Sequence, residues 1–326
     1  MVCMKVVLGV LLTCAVCTQV ATVFAQYPDK PVKLILPYAA GGAGDVLIRH
    51  VQPRLEKRLG QPIVIDYRTG AGGIIGTREV VNAPADGYTL LFAPTNNFVI
   101  NQFLYAKMGF EPLEALAPVT LVCDTPYLIY NNSAVPASTF AEFAAYAREN
   151  VGKLNYGSPG AATVPHLSGY MLSEWLGANM THVPYKGANP GVQALLANEV
   201  QMFIISFGTA GVHVASGKLR ALAVAAPTRL PVLPNVPTTK EVGLPEGVIL
   251  GNWWGIAGPR GLDPAIASRL SEAVRAVLGE EDVRKRYAEM GAIPVGNSPA
   301  EFGERMRGEA ASWKGIIAKT GARADN

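Results

Sequence analysis

The stretch "ILPYAAGGAGDVLIR" (35–49) joins an apolar run to a helical pattern through a turn of small residues. Glycines allow the backbone of such a turn to approach another group closely, and the first turn of a helix leaves N–H groups without partners. Two similar turns follow other apolar runs, "RTGAGGIIG" (68–76) and "GSPGAAT" (157–163). Three glycine-rich turns that lead into helices predict backbone amides converging on a negatively charged group.

Apolar runs and amphipathic segments alternate on either side of these turns. "VKLILPY" (32–38) precedes a helical pattern from Asp45 to Leu59, and "PIVIDYR" (62–68) precedes another. This alternation predicts an α/β fold with a mainly parallel sheet. Pro53 lies inside the first helical pattern, where we expect it to kink or shorten the helix.

The same alternation restarts further along the chain, which predicts a second sheet. The apolar run 116–132 is too long for one ordinary strand, so we interpret it as a strand that crosses between two lobes. Residues 248–259 are interpreted as a second crossing. We therefore expect a discontinuous lobe 1 (26–124 plus 251–326) and a lobe 2 (125–250).

Two helices are predicted near the C-terminus. Asp263, followed by proline, begins the first, and Ser298 with Glu301 forms a capping box at the start of the second. Trp313 falls in the apolar stripe of the second helix and is interpreted as a core residue.

Residues 1–25 differ in composition from the rest of the chain. Lys5 is their only charged residue, and a long apolar run ends in Val-Phe-Ala at Ala25. This pattern predicts a secretory signal peptide cleaved after Ala25, and a retained membrane anchor is the alternative. Cleavage would leave Cys123 as the only cysteine, which we interpret as a buried apolar residue without a disulfide.

The charge distribution argues against a nucleic-acid partner. The chain has 28 Lys and Arg, 25 Asp and Glu and a net charge of +3, without a long basic cluster. Asp45 and Arg49 are spaced four residues apart, as in a structural helix ion pair. Arg68 and Lys186 either supply a counter-charge to an anion or are only solvated.

A dinucleotide site is the obvious rival for the glycine-rich turns. "GAGGIIG" follows a strand with partly suitable spacing, but the next strand, "GYTLLFAPTNN", lacks the terminal acid that would hold a ribose. The missing acid argues against a dinucleotide-binding dehydrogenase, and we expect no cofactor.

The sequence also lacks the motifs that would indicate a hydrolase or a metal site. Neither Ser158 nor Ser206 lies in a Gly-x-Ser-x-Gly elbow, and the four histidines lack metal-ligand spacing. His166 follows a glycine-rich turn, so it is either a ligand contact or a structural cap. His50, His182 and His213 are expected to be structural.

Long stretches of the chain resemble one protein family. "YPDKPVKLILPYAAGGAGDVLIR", "LGQPIVIDYRTGAGGIIGTREVVNAPADGYTLLFAP", "NYGSPGAATVPHLSG" and "HVPYKGANPGVQALLANEVQM" look like the Bug/TctC family, the periplasmic solute-binding proteins of tripartite tricarboxylate transporters. The resemblance covers the chain from Tyr27 to the tryptophan-containing C-terminal helix. It implies a type II periplasmic-binding-protein-like α/β fold, in which two lobes with mixed sheets are joined by two crossover strands.

The resemblance also implies a function. A periplasmic monomer would capture a small carboxylate (a dicarboxylate, tricarboxylate or aromatic acid) in the cleft between the lobes and deliver it to the membrane components of the transporter. It would not be an enzyme. Two alternatives stay open: a secreted α/β enzyme acting on a carboxylated metabolite, and a sensor subunit that presents its ligand to a receptor.

Ligand-binding positions follow from the resemblance, motif by motif. In lobe 1 they are Tyr38, Ala40, Gly41, Gly42, Asp45, Gly72, Gly73, Thr95 and Asn96. In lobe 2 they are Ser158, Gly160, Thr163, His166, Tyr185 and Ser206.

Four positions depart from the family pattern: Tyr67, where Asn is usual; Thr69, where Pro is usual; Ala162, where Gly is common; and Ser206, where an acid or amide often occurs. Tyr67 suggests an aromatic or bulkier ligand, or else a simple surface substitution. The missing acid at Ser206 makes an amino-acid ligand less favoured.

Overall fold

The computed structural model describes residues 27–249 and 251–324. The predicted signal peptide, with its cleavage site and the membrane-anchor alternative, lies outside these residues. Within them, every helix is too short or too polar to cross a membrane.

The secondary structure confirms the alternation of strands and helices. The strands are β1 (Val32–Leu36), β2 (Ile63–Tyr67), β3 (Thr89–Pro94), β4 (Leu116–Thr125), β5 (Tyr127–Asn132), β6 (Asn155–Ser158), β7 (Thr181–Pro184), β8 (Met202–Ser206), β9 (Leu219–Val224), β10 (Asn252–Pro259) and β11 (Ile293–Pro294). The helices are α1 (Ala43–Leu59), α2 (Ile74–Val81), α3 (Asn101–Leu104), α4 (Pro112–Ala115), α5 (Phe140–Glu149), α6 (Val164–Leu176), α7 (Ala188–Leu196), α8 (Phe207–Ala215), α9 (Pro264–Leu278), α10 (Glu281–Glu289) and α11 (Pro299–Thr320). A 3₁₀ turn (Ala71–Gly73) and a π-helical turn (Asn96–Ile100) precede α2 and α3.

The strands form two mixed sheets, one in each lobe. The larger sheet has the order β11-β4-β10-β3-β1-β2, and the smaller has the order β7-β6-β8-β5-β9. In the larger sheet β1 pairs in parallel with β2 and β3, whereas β10 is antiparallel to β3 and β4. In the smaller sheet β6 is parallel to β7 and β8, whereas β5 is antiparallel to β8 and β9. The predicted class, a two-lobed α/β fold with mixed sheets, is confirmed.

The glycine-rich turns follow the ends of parallel strands. The turns after β1 and β6 lead directly into α1 and α6, as the glycine-rich sequences predicted. Because parallel strands of one sheet end at the same edge, these turns collect at one side of each lobe.

The chain crosses between the lobes where β4 ends and β5 begins. β4 pairs only in the larger sheet and β5 only in the smaller one, with Pro126 between them. The predicted single long strand is therefore two strands, because proline cannot donate to a sheet ladder. The boundaries between the lobes after residues 124 and 250 stay a prediction.

The second crossing differs from the prediction. β10 pairs with β3 and β4 but with no strand of the smaller sheet, so the described residues of this return passage contain no strand that is shared between the sheets. The first residue of β10 lies against the first crossing. The Thr125 hydroxyl donates to the Asn252 carbonyl at 3.0 Å, and the Asn252 side-chain amide contacts the same hydroxyl at 3.2 Å.

Helix α1 runs through its proline. It extends from Ala43 to Leu59, so Pro53 does not shorten it, and the other predicted outcome, a kink, stays a prediction. Val51 and Leu55, on either side of the proline, are both buried in the core of lobe 1. This apolar packing offsets the lost backbone hydrogen bond, which costs about 3 kcal/mol in an isolated helix.

The C-terminal helices form as predicted. Asp263 caps α9, and Ser298 and Glu301 complete a capping box at the start of α11. Trp313 is fully enclosed in the core, and Cys123 is a buried free thiol whose pKa is raised well above its ordinary value, first by burial.

We predict that Trp313→Ala lowers the free energy of unfolding by about 3–5 kcal/mol, since it opens a cavity under α11. The matched control is Trp175→Ala on α6, because Trp175 is 37% exposed and Trp313 only 2%. The control should cost about 1 kcal/mol. Chemical denaturation monitored by circular dichroism measures both, and equal losses would contradict the burial of Trp313 in the core.

Candidate functional site

A cavity of about 620 Å³ lies between the two lobes. We call it the aromatic chamber. Its wall on the lobe 1 side is formed by Tyr38, Ala39, Ala40, Gly41, Gly42, Ala43, Gly44, Asp45, Gly72, Pro94, Asn96, Asn101, Leu104, Tyr105, Asn252, Trp254 and Ala324. On the lobe 2 side it is formed by Tyr127, Pro159, Ala161, Ala162, Thr163, Val164, Pro165 and Ile205.

A second cavity of about 600 Å³ meets the first at Gly41, Gly42 and Ala43. We call it the Lys186 chamber. Its other walls are the starts of α7 and α8 and parts of lobe 1, namely Val46, Leu47, Thr125, Lys186, Gly187, Ala188, Asn189, Pro190, Ser206, Gly208, Thr209, Met290 and Ala292. The turn between β1 and α1 therefore borders both cavities.

This turn has the backbone geometry that its small residues allow. Gly41 has a φ of +78°, in the left-handed region that disfavours side chains. A Cβ on Gly44 would lie 2.3 Å from a ring carbon of Trp254, so only glycine lets the indole pack against the start of α1. No side chain caps this helix, and its first-turn amides therefore have no partner within the helix.

Asp45 fixes the same turn from inside. Its buried carboxylate accepts hydrogen bonds from the Gly41 amide at 2.8 Å, from Arg49 Nε at 2.8 Å and from the Tyr67 hydroxyl at 2.6 Å. Burial alone would raise the pKa of Asp45, but the bonds from Tyr67 and Gly41 and the charge of Arg49 lower it below its ordinary value. Asp45 is thus an ionised anchor of the turn, and the predicted helix ion pair with Arg49 is present.

Tyr67 belongs to this anchor rather than to a cavity wall. Its hydroxyl donates to Asp45 and accepts from Arg49 Nη2 at 2.5 Å, and its ring lines neither chamber. The position of Tyr67 therefore does not support the suggestion that this residue indicates an aromatic or bulkier ligand. Arg68 is also occupied, since it pairs with Asp66 and Glu79.

In lobe 2, Ser158 organises the turn after β6. Its hydroxyl donates to the Gly160 carbonyl at 2.8 Å, accepts from the Gly160 amide at 3.2 Å and lies 2.7 Å from His182 Nε2. His166 accepts the Ala162 amide on Nδ1 at 3.0 Å. These contacts hold the turn in one conformation.

His166 and His182 stack on each other behind the turn. Their ring centroids lie 3.8 Å apart, and the ring of Tyr156 lies 5.0 Å from that of His182. Burial, and then the proximity of His166, lowers the pKa of His182 to about 4. Burial also lowers the pKa of His166, so both imidazoles are neutral at pH 7.

Ala162, one of the four departures from the family pattern, has an unusual backbone conformation. Its φ is +59°, a conformation that glycine adopts without strain and that alanine rarely adopts. The backbone conformation is therefore one that suits the glycine common at this position.

The predicted site residues divide into two groups. Those on the walls of the two chambers are Tyr38, Ala40, Gly41, Gly42, Asp45, Gly72, Asn96, Thr163 and Ser206. Those that lie behind the walls are Gly73, Thr95, Ser158, Gly160, His166 and Tyr185. Thr95, for example, is fully buried and accepts the Trp253 amide at 3.0 Å.

The sequence reasoning missed several wall residues: Asn101, Leu104, Tyr105, Tyr127, Ile205, Asn252 and Trp254. They lie in apolar runs or helices without a glycine-rich turn, so no motif marked them. His182, which was expected to be structural, contacts Ser158, the residue that holds the lobe 2 turn.

Metal-ligating and charged side chains are scarce at this site among the residues that the structure describes. No group of three or more His, Cys, Asp or Glu side chains in this part of the chain could hold a metal ion. Only one charged side chain, Asp45, lines the aromatic chamber within the same residues.

Comparison with known proteins identifies similar chains. The model of the TctC family, described as the tripartite tricarboxylate transporter family receptor, matches residues 47–322. Protein BugT of Bordetella pertussis (strain Tohama I) is 32% identical over 298 residues, which cover 91% of each chain.

Solved structures of periplasmic binding proteins share the fold. Rpa4515 of R. palustris with adipate has a TM-score of 0.80 at 31% identity, covering 91% of this chain and 99% of that one. MatC (Rpa3494) from Rhodopseudomonas palustris with bound malate has a TM-score of 0.74 at 32% identity, covering 89% and 100%.

The neutral histidine pair predicts a pH dependence of stability. Free histidine has a pKa near 6.5, so between pH 6.5 and about 4 the unfolded chain binds more protons at His182 than the folded chain does. The free energy of unfolding should therefore fall as the pH is lowered from 7 to 5. His182→Gln should reduce this fall, and urea denaturation at both pH values measures it.

His213→Gln is the control, since it removes one histidine from the last turn of α8, away from the stack. It should leave more of the pH dependence in place than His182→Gln does. An unchanged pH dependence in His182→Gln would contradict the role given to the stack.

Proposed function

We propose that this chain, which belongs to the TctC family of tripartite tricarboxylate transporter receptors, binds a small organic carboxylate in the cleft between its lobes. The family and the fold are those of periplasmic solute-binding proteins. Two similar proteins of this fold were solved with adipate and with malate, and both ligands are carboxylates. These relationships support a carboxylate ligand for this chain.

One observation carries the proposal: the uncapped start of α1 borders both cavities. The first-turn amides at Ala43 and Gly44 lack helix partners, and the helix dipole favours negative charge there. A carboxylate at this end of the helix accepts two or more N–H donors without an Arg or Lys side chain.

The remaining parts of the proposal follow from the family. After cleavage behind Ala25, the mature protein would act in the periplasm as a monomer and deliver its ligand to the membrane components of a tripartite tricarboxylate transporter. The ligand-binding residues would be the wall residues named above other than Asp45, which holds the lobe 1 turn in place as Ser158 and His166 hold the lobe 2 turn.

We predict that Ala43→Pro weakens carboxylate binding about tenfold or more, since a hydrogen bond to a charged group is worth about 1.5–3 kcal/mol. Ala43 is the first residue of α1, where proline fits, and Gly42 already has the extended backbone (φ −74°, ψ 173°) that precedes proline. The substitution thus removes one N–H donor and leaves the helix intact. Calorimetry with the tightest binder from a thermal-shift panel of malate, adipate, citrate and benzoate measures the effect.

The matched control is Glu281→Pro, at the first position of α10 and on neither chamber wall. The residue before it, Glu280, also has extended backbone (φ −65°, ψ 135°). The control should bind as the wild type does. Unchanged affinity in Ala43→Pro, with its melting temperature retained, would contradict a carboxylate at the start of α1.

The two alternatives differ in what happens to the ligand. A solute-binding protein releases the carboxylate unchanged, so native mass spectrometry should show a bound ligand whose mass is the same after denaturation and release. A product of different mass that accumulates with time would favour the enzyme, and binding of a receptor domain in place of transporter components would favour the sensor.

A further inference from the structure

The wall of the aromatic chamber is neutral toward a ligand. Asp45 is its only charged side chain in the part of the chain that the structure describes. That carboxylate already accepts from Gly41, Arg49 and Tyr67, so its negative charge is balanced inside lobe 1. Arg49 is turned to this anchor and does not line either chamber.

A neutral wall can hold one carboxylate but disfavours a second. The amides at the start of α1 provide donors for a single anionic group. A second carboxylate deeper in the chamber would lose water without gaining a cation, and an unpaired ion costs several kcal/mol on burial. Lys186 lines the neighbouring chamber rather than this one, and it is exposed to solvent.

Rings and aliphatic side chains form much of the rest of the chamber, beside the polar side chains of Asn96, Asn101, Thr163 and Asn252. Tyr38, Tyr127 and Trp254 line it together with Leu104 and Ile205. The rings of Tyr38 and Trp254 meet edge to face, with centroids 6.1 Å apart.

The Tyr38 hydroxyl is already engaged with lobe 1. Two acceptors lie within hydrogen-bond distance of this hydroxyl, the Asn97 side-chain oxygen at 3.0 Å and the Gly72 carbonyl at 3.2 Å. The part of Tyr38 left for the ligand is therefore mainly its ring. The group of rings formed by Tyr38, Tyr127 and Trp254 matches an apolar, flat part of a ligand.

We infer that the ligand of this chain carries one carboxylate and an aromatic body: the carboxylate lies at the start of α1, and the ring lies among Tyr38, Tyr127 and Trp254. The inference rests on the proposed function and narrows it to aromatic monocarboxylates. It also explains how a wall without Arg or Lys can serve an anionic ligand, since only one end of that ligand is charged.

Calorimetry on the wild-type protein tests the inference with two matched pairs of probes. Hexanoate and adipate have the same number of carbons and differ by one carboxylate. 3-Phenylpropionate and 3-cyclohexylpropionate have the same size and differ in aromaticity. We expect 3-phenylpropionate to bind at least tenfold more tightly than adipate and more tightly than its cyclohexyl partner, and hexanoate to bind more tightly than adipate.

The outcomes separate this inference from the proposed function. Adipate or malate binding as tightly as 3-phenylpropionate would overturn the inference and leave carboxylate binding in place. Equal binding of the phenyl and cyclohexyl probes would overturn the aromatic body. If none of the carboxylates bound, the proposed function would fall, and the inference with it.

A charge variant tests the physical reason directly. Ala161 is an exposed residue on the lobe 2 wall of the chamber, so Ala161→Arg adds a cation without opening the core. The ratio of adipate to hexanoate affinity should rise about tenfold. Ala318→Arg, on an exposed position of α11 that borders neither chamber, adds the same charge and should leave the ratio unchanged. An unchanged ratio in Ala161→Arg would contradict the view that the missing cation excludes the second carboxylate.

Discussion

The carboxylate of Asp45 accepts hydrogen bonds from the Gly41 amide, Arg49 and Tyr67, and the whole site depends on this arrangement. It fixes a turn whose glycines would otherwise have many conformations in water, and it does so from the protein side. The entropy of ordering the turn is therefore lost on folding rather than on binding, which favours affinity. Because the Gly41 amide is used for this purpose, the amides at the start of α1 are the donors left for a ligand.

Lobe 2 reaches a similar end by different chemistry. Its turn is held by the Ser158 hydroxyl, the stacked rings of His166 and His182 and the side-chain cap of Thr163 on α6. No ionised group takes part, because both imidazoles are neutral at pH 7. The two turns that face each other across the cleft thus present mainly backbone, and selectivity has to come from the side chains around them.

The fold could be predicted further than the site. Periodicity and capping residues such as Ser298 and Asp263 are local signals, and the structure bears them out. Pro53 is also a local signal, but tertiary packing on both sides of it overrides its propensity. The turns were predicted because glycine is required by close approach and by positive φ, as at Gly44 and Gly41.

The side walls could not be predicted in the same way. Trp253 and Trp254 are neighbours in one apolar strand, yet Trp253 packs on Phe98 in one core and Trp254 on Phe92 in the other. Only Trp254 lines the aromatic chamber. Which face of a strand meets the cleft depends on its pairing with strands far away in sequence, and β10 shifts register twice along β4. A single sequence does not contain that information.

The hydrogen bonds between Thr125 and Asn252 have a mechanical consequence. Two separate tethers would let the lobes bend, twist and slide, but these two passages are fastened side by side at the point where they leave lobe 1. Any relative movement of the lobes at this point must therefore carry both passages together or break these two hydrogen bonds.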